Sequence, residues 1–131
     1  MTHDALILTV LPGRMAVCRF APDAPLPAWV FHSSAEFWCV MRTREELSVV
    51  CPEDDLPPSV EQAERGFRAF KLEGPIPFTT IGVIAGLTSP LAVAGISVFV
   101  LSTYDTDYLM VKEPMLEQAR AELVAAGYEV Y

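Results

Sequence analysis

The sequence predicts an α+β fold built from two βαββαβ halves packed side by side, residues 1–63 and 64–131, the first of them degenerate. Three observations predict it. Short apolar strands and helical stretches alternate in an order that repeats once along the chain. A 61-residue offset lays Leu11-Pro12-Gly13 over Leu72-Glu73-Gly74 and Glu46 over Asp107. The composition, 52% hydrophobic and 20% charged over 131 residues, is rich enough to bury a core beneath each half.

The elements follow in order. Ala5 to Leu11 is an apolar run stopped by Pro12-Gly13 and reads as a strand. Met15 to Phe20 is a second extended or short structured piece, and Ala21 to Pro27, with three prolines, is a loop. Phe37–Arg42 and Glu46–Cys51 flank the charged turn Thr43–Glu45 as a hairpin. Pro52–Pro58 is an acidic connector. Ser59, with Gln62 three residues on, has the form of a capping box, so a short helix is expected there, stopping at Gly66. Phe67 to Glu73 alternates as a strand.

After the rigid loop Gly74–Pro77, an apolar helix is expected from about Thr79 to Leu87. Ser89-Pro90 then restarts a brief helical turn, closed by Gly95. Ile96–Ser102 and Asp107–Lys112 form the second hairpin. Pro114 sits at the first position of a last helix whose Leu116, Ala119 and Leu123 face the core. Tyr128–Tyr131 is a final edge strand. In such a half, one sheet face lies beneath two helices, and pairing of halves or dimerisation covers what stays exposed.

Charge narrows the function. Seventeen acidic against nine basic residues give a net charge of −8, which repels phosphate backbones and anionic lipid. Nucleic acid and membrane are therefore not expected as partners. Residues 74–104 carry no charge and are long enough to span a bilayer, but Gly82, Gly86, Pro90 and Gly95 interrupt them. Cys18, Cys39 and Cys51 are odd in number and widely spaced, as buried thiols of a reducing compartment are. Met1-Thr-His-Asp4 lacks a basic, then apolar, leader pattern, so a cytoplasmic location is expected.

Catalytic and metal motifs are missing. The chain has no P-loop, no G-x-G-x-x-G, no H-E-x-x-H and no G-x-S-x-G. His3 and His32 lack the context of a triad, and Cys39 and Cys51 lack the further ligands that zinc requires. No catalysis, cofactor or metal is expected. The informative segment is Ser102-Thr-Tyr-Asp-Thr-Asp107, six consecutive oxygen-bearing side chains between apolar strands. It reads either as a self-capping turn or as a polar ledge, with Asp107 accepting from an ammonium and Ser102 and Thr103 adding hydroxyl bonds.

Gly74-Pro-Ile-Pro77 lies at a strand end before a helix, where free backbone N–H groups and the helix dipole attract a carboxylate. Facing the ledge across paired halves, it completes a site for a zwitterion, and free amino acids are zwitterions.

Lys71-Leu-Glu-Gly-Pro75, Gly95-Ile-Ser97, Leu47-Ser-Val-Val-Cys-Pro-Glu-Asp54 and above all Leu101-Ser-Thr-Tyr-Asp-Thr-Asp-Tyr108 resemble the small bacterial tandem ACT-domain proteins. These are similar to the CASTOR-type amino-acid sensors and the regulatory ACT domains of aspartate kinase. The resemblance implies ferredoxin-like halves, homodimerisation and an amino-acid ligand. It points to Thr103, Tyr104, Thr106 and Asp107 as ligand contacts and maps the glycine loop onto Gly74 and Ile76. Contacts that would hold an arginine side chain have no match here. The leading expectation is an amino-acid-binding regulatory protein. The alternative is a protein-interaction or dimerisation module with an unknown protein partner, motivated by the uncharged stretch from Thr79 to Ala94. An enzyme relying on His32 or Cys51 ranks third.

Overall fold

The structure, a computed structural model, describes residues 6–131. His3 and the Met1–Asp4 segment lie outside the described residues. In chain order the strands are β1 (Ile7–Val10), β2 (Met15–Phe20), β3 (Cys39–Arg42), β4 (Leu47–Pro52), β5 (Ala63–Leu72), β6 (Phe99–Ser102), β7 (Asp107–Lys112) and β8 (Glu129–Val130). The α-helices are α1 (Val83–Val93) and α2 (Leu116–Ala125), and 3-10 turns occupy Ala28–His32, Glu53–Asp55 and Glu113–Met115. The fold is α+β, with eight strands and two α-helices among the described residues. Two compact units divide the chain, an N-terminal unit of residues 13–67 and a C-terminal unit of residues 6–12 with 68–131.

This grouping differs from the expected halves at 1–63 and 64–131, and backbone pairing is the reason. β1 runs antiparallel to the second part of β5, Leu8 opposite Leu72 and Val10 opposite Phe70. It also runs parallel to β8, Ile7 opposite Glu129. Its hydrogen bonds therefore go to residues from the far end of the chain.

In the C-terminal unit the strand order is β8-β1-β5-β7-β6. Leu8, Phe70, Leu72, Leu87, Leu91, Leu109, Val111, Ala119 and Leu123 form its core. Alternation along β5 places Phe70 and Leu72 on the covered face, as period-2 side-chain direction demands. In the N-terminal unit the order is β3-β4-β2-β5, where β5 contributes its first part. Ala16, Cys18, Val30, Leu47, Val49, Cys51 and Leu56 form a second core. Within the described residues of this unit the helical positions hold only 3-10 turns.

Two local expectations are corrected. No helix forms at Ser59–Gln62: Gln62 gives its carbonyl to Arg19 N–H at 2.9 Å, and β5 begins at Ala63. Gly66, at φ +79°, is a bulge inside that strand rather than a helix stop, and the β2–β5 register shifts between Met15 and Val17. Nor is the apolar helix broken at Ser89-Pro90. α1 starts later, at Val83, and runs through Pro90 to Val93 because Leu87 and Leu91, one turn apart, are both buried. Tertiary packing outweighs the missing donor.

Cys18 and Cys51 are buried and diagonal to each other, since Ala16 faces Cys51 and Cys18 faces Val49. The shared thiol hydrogen bond, then burial, pushes Cys51 well above the ordinary thiol range. The same hydrogen bond lowers Cys18, and burial raises Cys39.

Candidate functional site

Strands β6 and β7 pair Ser102 with Asp107 as the closing residues of their hairpin. The four residues between them must turn the chain, and they do so with their own side chains. Thr103 N–H donates to Thr106 O at 2.8 Å, and the Thr103 hydroxyl accepts from Thr106 N–H at 3.2 Å. The self-capping turn is thus real. Ser102 Oγ donates to Asp107 Oδ1 at 2.5 Å. Thr106 is buried, and its hydroxyl donates to the Leu72 carbonyl.

The loop after β5 meets this turn within the C-terminal unit. Ile76 N–H donates to Asp105 O at 2.7 Å. A Cβ on Gly74 would lie 3.0 Å from Asp105 O and 3.2 Å from Thr106 Cβ, so only glycine lets the two backbones approach so closely. Two expectations change with this contact. Loop and turn face each other inside one unit rather than across paired halves, and the Ile76 amide is spent on the turn rather than free for an anion.

Between loop, turn and the start of α1 lies a cavity of about 400 Å³. Ile76, Ser102, Thr103, Tyr104, Thr106 and Asp107 all line it. Gly74 does not; it borders a neighbouring hollow of about 210 Å³ with Thr103, Asp105 and Thr106. Sequence reasoning missed several contributors to the lining. Asp105 adds a second carboxylate, Phe78 an aromatic ring, and Gly82 to Ala85 the first turn of α1.

That helix start supplies what the glycine loop cannot. Gly82 precedes α1 at φ +84°, no side chain caps it, and no acidic residue stands in its first turn. The N–H groups of Val83, Ile84 and Ala85 have no carbonyl four residues back within the helix, and the positive end of the dipole gathers there. Asp105 and Asp107 line the same cavity, and no Lys, Arg or His is among its lining residues. At the mouth Phe78 and Tyr104 meet edge to face, ring centroids 5.0 Å apart, although they are 74% and 82% exposed. Chemically, the cavity offers uncapped amide donors for a carboxylate, carboxylate acceptors for an ammonium, and an aromatic pair for an apolar or cationic group.

Among the described residues, no group of three or more His, Cys, Asp or Glu is placed to hold a metal ion. No helix among them is long and apolar enough to cross a membrane.

A family model described as an ACT domain matches residues 62–123, and a second, described as an N-terminal domain, matches residues 13–59. A solved protein from Agobacterium tumefaciens is 33% identical, with a TM-score of 0.89 over 98% of this chain and 94% of its own. A protein of unknown function from Vibrio cholerae, described as a possible transport protein, superimposes with a TM-score of 0.74 at 18% identity, over 94% of this chain and 91% of its own. The ligand-free regulatory subunit of aspartate kinase from Thermus thermophilus reaches 0.60 at 15% identity, over 88% and 93%. Among the curated proteins, none matches.

Proposed function

Because the chain belongs to the ACT-domain family, we propose that it is a non-catalytic regulatory protein whose cavity beside α1 binds an amino acid. One observation carries this reading: an uncapped helix start and two carboxylates, Asp105 and Asp107, line a single cavity with no basic side chain among the lining residues. The ligand's carboxylate goes to the amides of Val83 to Ala85, and its ammonium goes to Asp107. The self-capping of the turn favours this role, because its hydrogen bonds hold the acceptors in place and less of the ordering of the site is left to binding.

A thermal-shift screen of the twenty amino acids tests it. A ligand at about 100 times its dissociation constant adds about 2.7 kcal/mol of stability, which raises Tm by several degrees. Folded protein that shifts with none of them removes the reading. The acidic net charge supports partners other than nucleic acid and membrane.

A second reading, a dimerisation or docking module, draws on α1. Ile81 and Val93 are 96% and 91% exposed, on a stretch with no charge between residues 74 and 104. Homodimerisation through this surface is compatible with ligand binding. Sedimentation of the free chain tests it, and a monomer at all concentrations counts against it.

A further inference from the structure

The two hairpins of the chain are built alike, and the comparison assigns a task to Arg42. β3 and β4 pair Cys39 with Val50 and Arg42 with Leu47; β6 and β7 pair Phe99 with Met110 and Ser102 with Asp107. Every position differs by 60 residues, one fewer than the sequence offset. The turns share their hydrogen bonds as well. Thr43 N–H donates to Glu46 O at 2.8 Å, and the Thr43 hydroxyl accepts from Glu46 N–H at 3.1 Å, as Thr103 does with Thr106. A 3-10 turn follows each hairpin, Glu53–Asp55 and Glu113–Met115.

The loops facing these turns differ. In the C-terminal unit an amide of the loop, Ile76 N–H, reaches the turn carbonyl of Asp105, and the remaining space is the cavity. In the N-terminal unit the corresponding loop, Ala21–Pro27, holds three prolines without amide hydrogens. Guanidinium groups replace the missing donors. Arg19 Nη2 donates to Glu45 O at 3.0 Å, the carbonyl equivalent to that of Asp105. Arg42, at the position of Ser102, donates through one nitrogen to Pro22 O and through the other to Ala24 O at 2.7 Å.

We infer that the Pro22 and Ala24 carbonyls form a guanidinium-binding site that Arg42 fills from within the chain, as a tethered ligand. A planar fork reaches both carbonyls through two separate nitrogens in fixed geometry, whereas an ammonium presents all its donors from a single point. Arg42 thereby locks loop to turn in the N-terminal unit and leaves the C-terminal cavity as the open site of the pair. The guanidinium site stands on its own hydrogen bonds; only the role of the other cavity as the open site rests on the function proposed above.

Chemical rescue tests this. Arg42→Ala is expected to lower Tm by several degrees, and low-millimolar methylguanidinium chloride is expected to restore part of that loss, while sodium chloride at equal ionic strength does not. Methylguanidinium raises the Tm of Arg42→Ala more than that of the wild-type chain, whose N-terminal site is filled. Arg42→Lys serves as the second variant if Arg42→Ala does not fold; it retains charge but is expected to melt below wild type and to respond to the same probe. An unchanged Tm in both variants, or an equal response of variant and wild type to methylguanidinium, overturns the assignment. Because the probe is read in the N-terminal unit, a negative amino-acid screen leaves the result interpretable.

Discussion

Ser102 and Asp107 face each other as the closing pair of the β6–β7 hairpin, and the serine hydroxyl donates to one oxygen of the aspartate at 2.5 Å. Backbone pairing sets the register, and the hydroxyl then fixes the carboxylate rotamer. Asp107 thus enters the cavity already oriented.

Asp107→Asn keeps the size of the side chain but removes its charge. A charge-assisted hydrogen bond contributes about 1.5–3 kcal/mol, so ligand affinity falls roughly 10- to 150-fold. Folding stability changes by less than about 1 kcal/mol, because the residue is at a partly exposed turn. Titration calorimetry beside urea unfolding separates the two effects. An unaltered affinity removes Asp107 from the site.

Thr106→Val tests the opposite assignment. The threonine is 7% exposed and its hydroxyl donates to the Leu72 carbonyl, so its work is structural. The substitution removes that buried hydrogen bond and costs about 1–3 kcal/mol. Urea midpoints measure it. Direct ligand contact by the Thr106 hydroxyl predicts instead a loss of affinity at unchanged stability.

Gly74→Ala presses a methyl against backbone and buried atoms at 3.0–3.2 Å. Overpacking of this kind costs about 1–3 kcal/mol, and here it also parts the loop from the turn. Ligand affinity should drop with stability, although Gly74 does not line the main cavity. A drop in stability alone shows that the cavity tolerates loop movement.

The thiols supply a prediction for pH. Cys51 is held protonated in the fold above its ordinary range, so the folded chain keeps a proton that the unfolded chain gives up. Its contribution is complete below about pH 8.5 and declines as pH rises beyond that value. Urea unfolding from pH 7.5 to 10 should show the decline, and replacing Cys18 and Cys51 together by Ala should flatten it. In native protein at neutral pH, a disulfide reagent should spare Cys18 and Cys51, which are each 1% exposed.

Much of the architecture was legible because it depends on local chemistry. Both hairpins announced themselves by alternation and by a polar turn between apolar runs. The cavity turn was legible too, since six consecutive oxygen-bearing residues between two apolar strands are locally unusual. The Ser59 segment misled because its capping pattern is genuine, yet Gln62 O is taken by Arg19 N–H, a residue 43 positions earlier. No window around Ser59 contains that competitor. Likewise the start of α1 as the uncapped donor set was hidden, because Gly82 carries no capping signature of its own.

The sequence by itself determined which segments bury apolar faces and where the acidic ledge lies, because composition and periodicity act over a few neighbouring residues. Tertiary structure alone decided that β1 joins the C-terminal unit, that Ile76 spends its amide on Asp105, and that Arg42 bridges the Pro22 and Ala24 carbonyls. Each of these is a hydrogen bond between residues distant in the chain. Its formation depends on which partner the fold brings within about 3 Å, a distance that neither propensity nor pattern encodes.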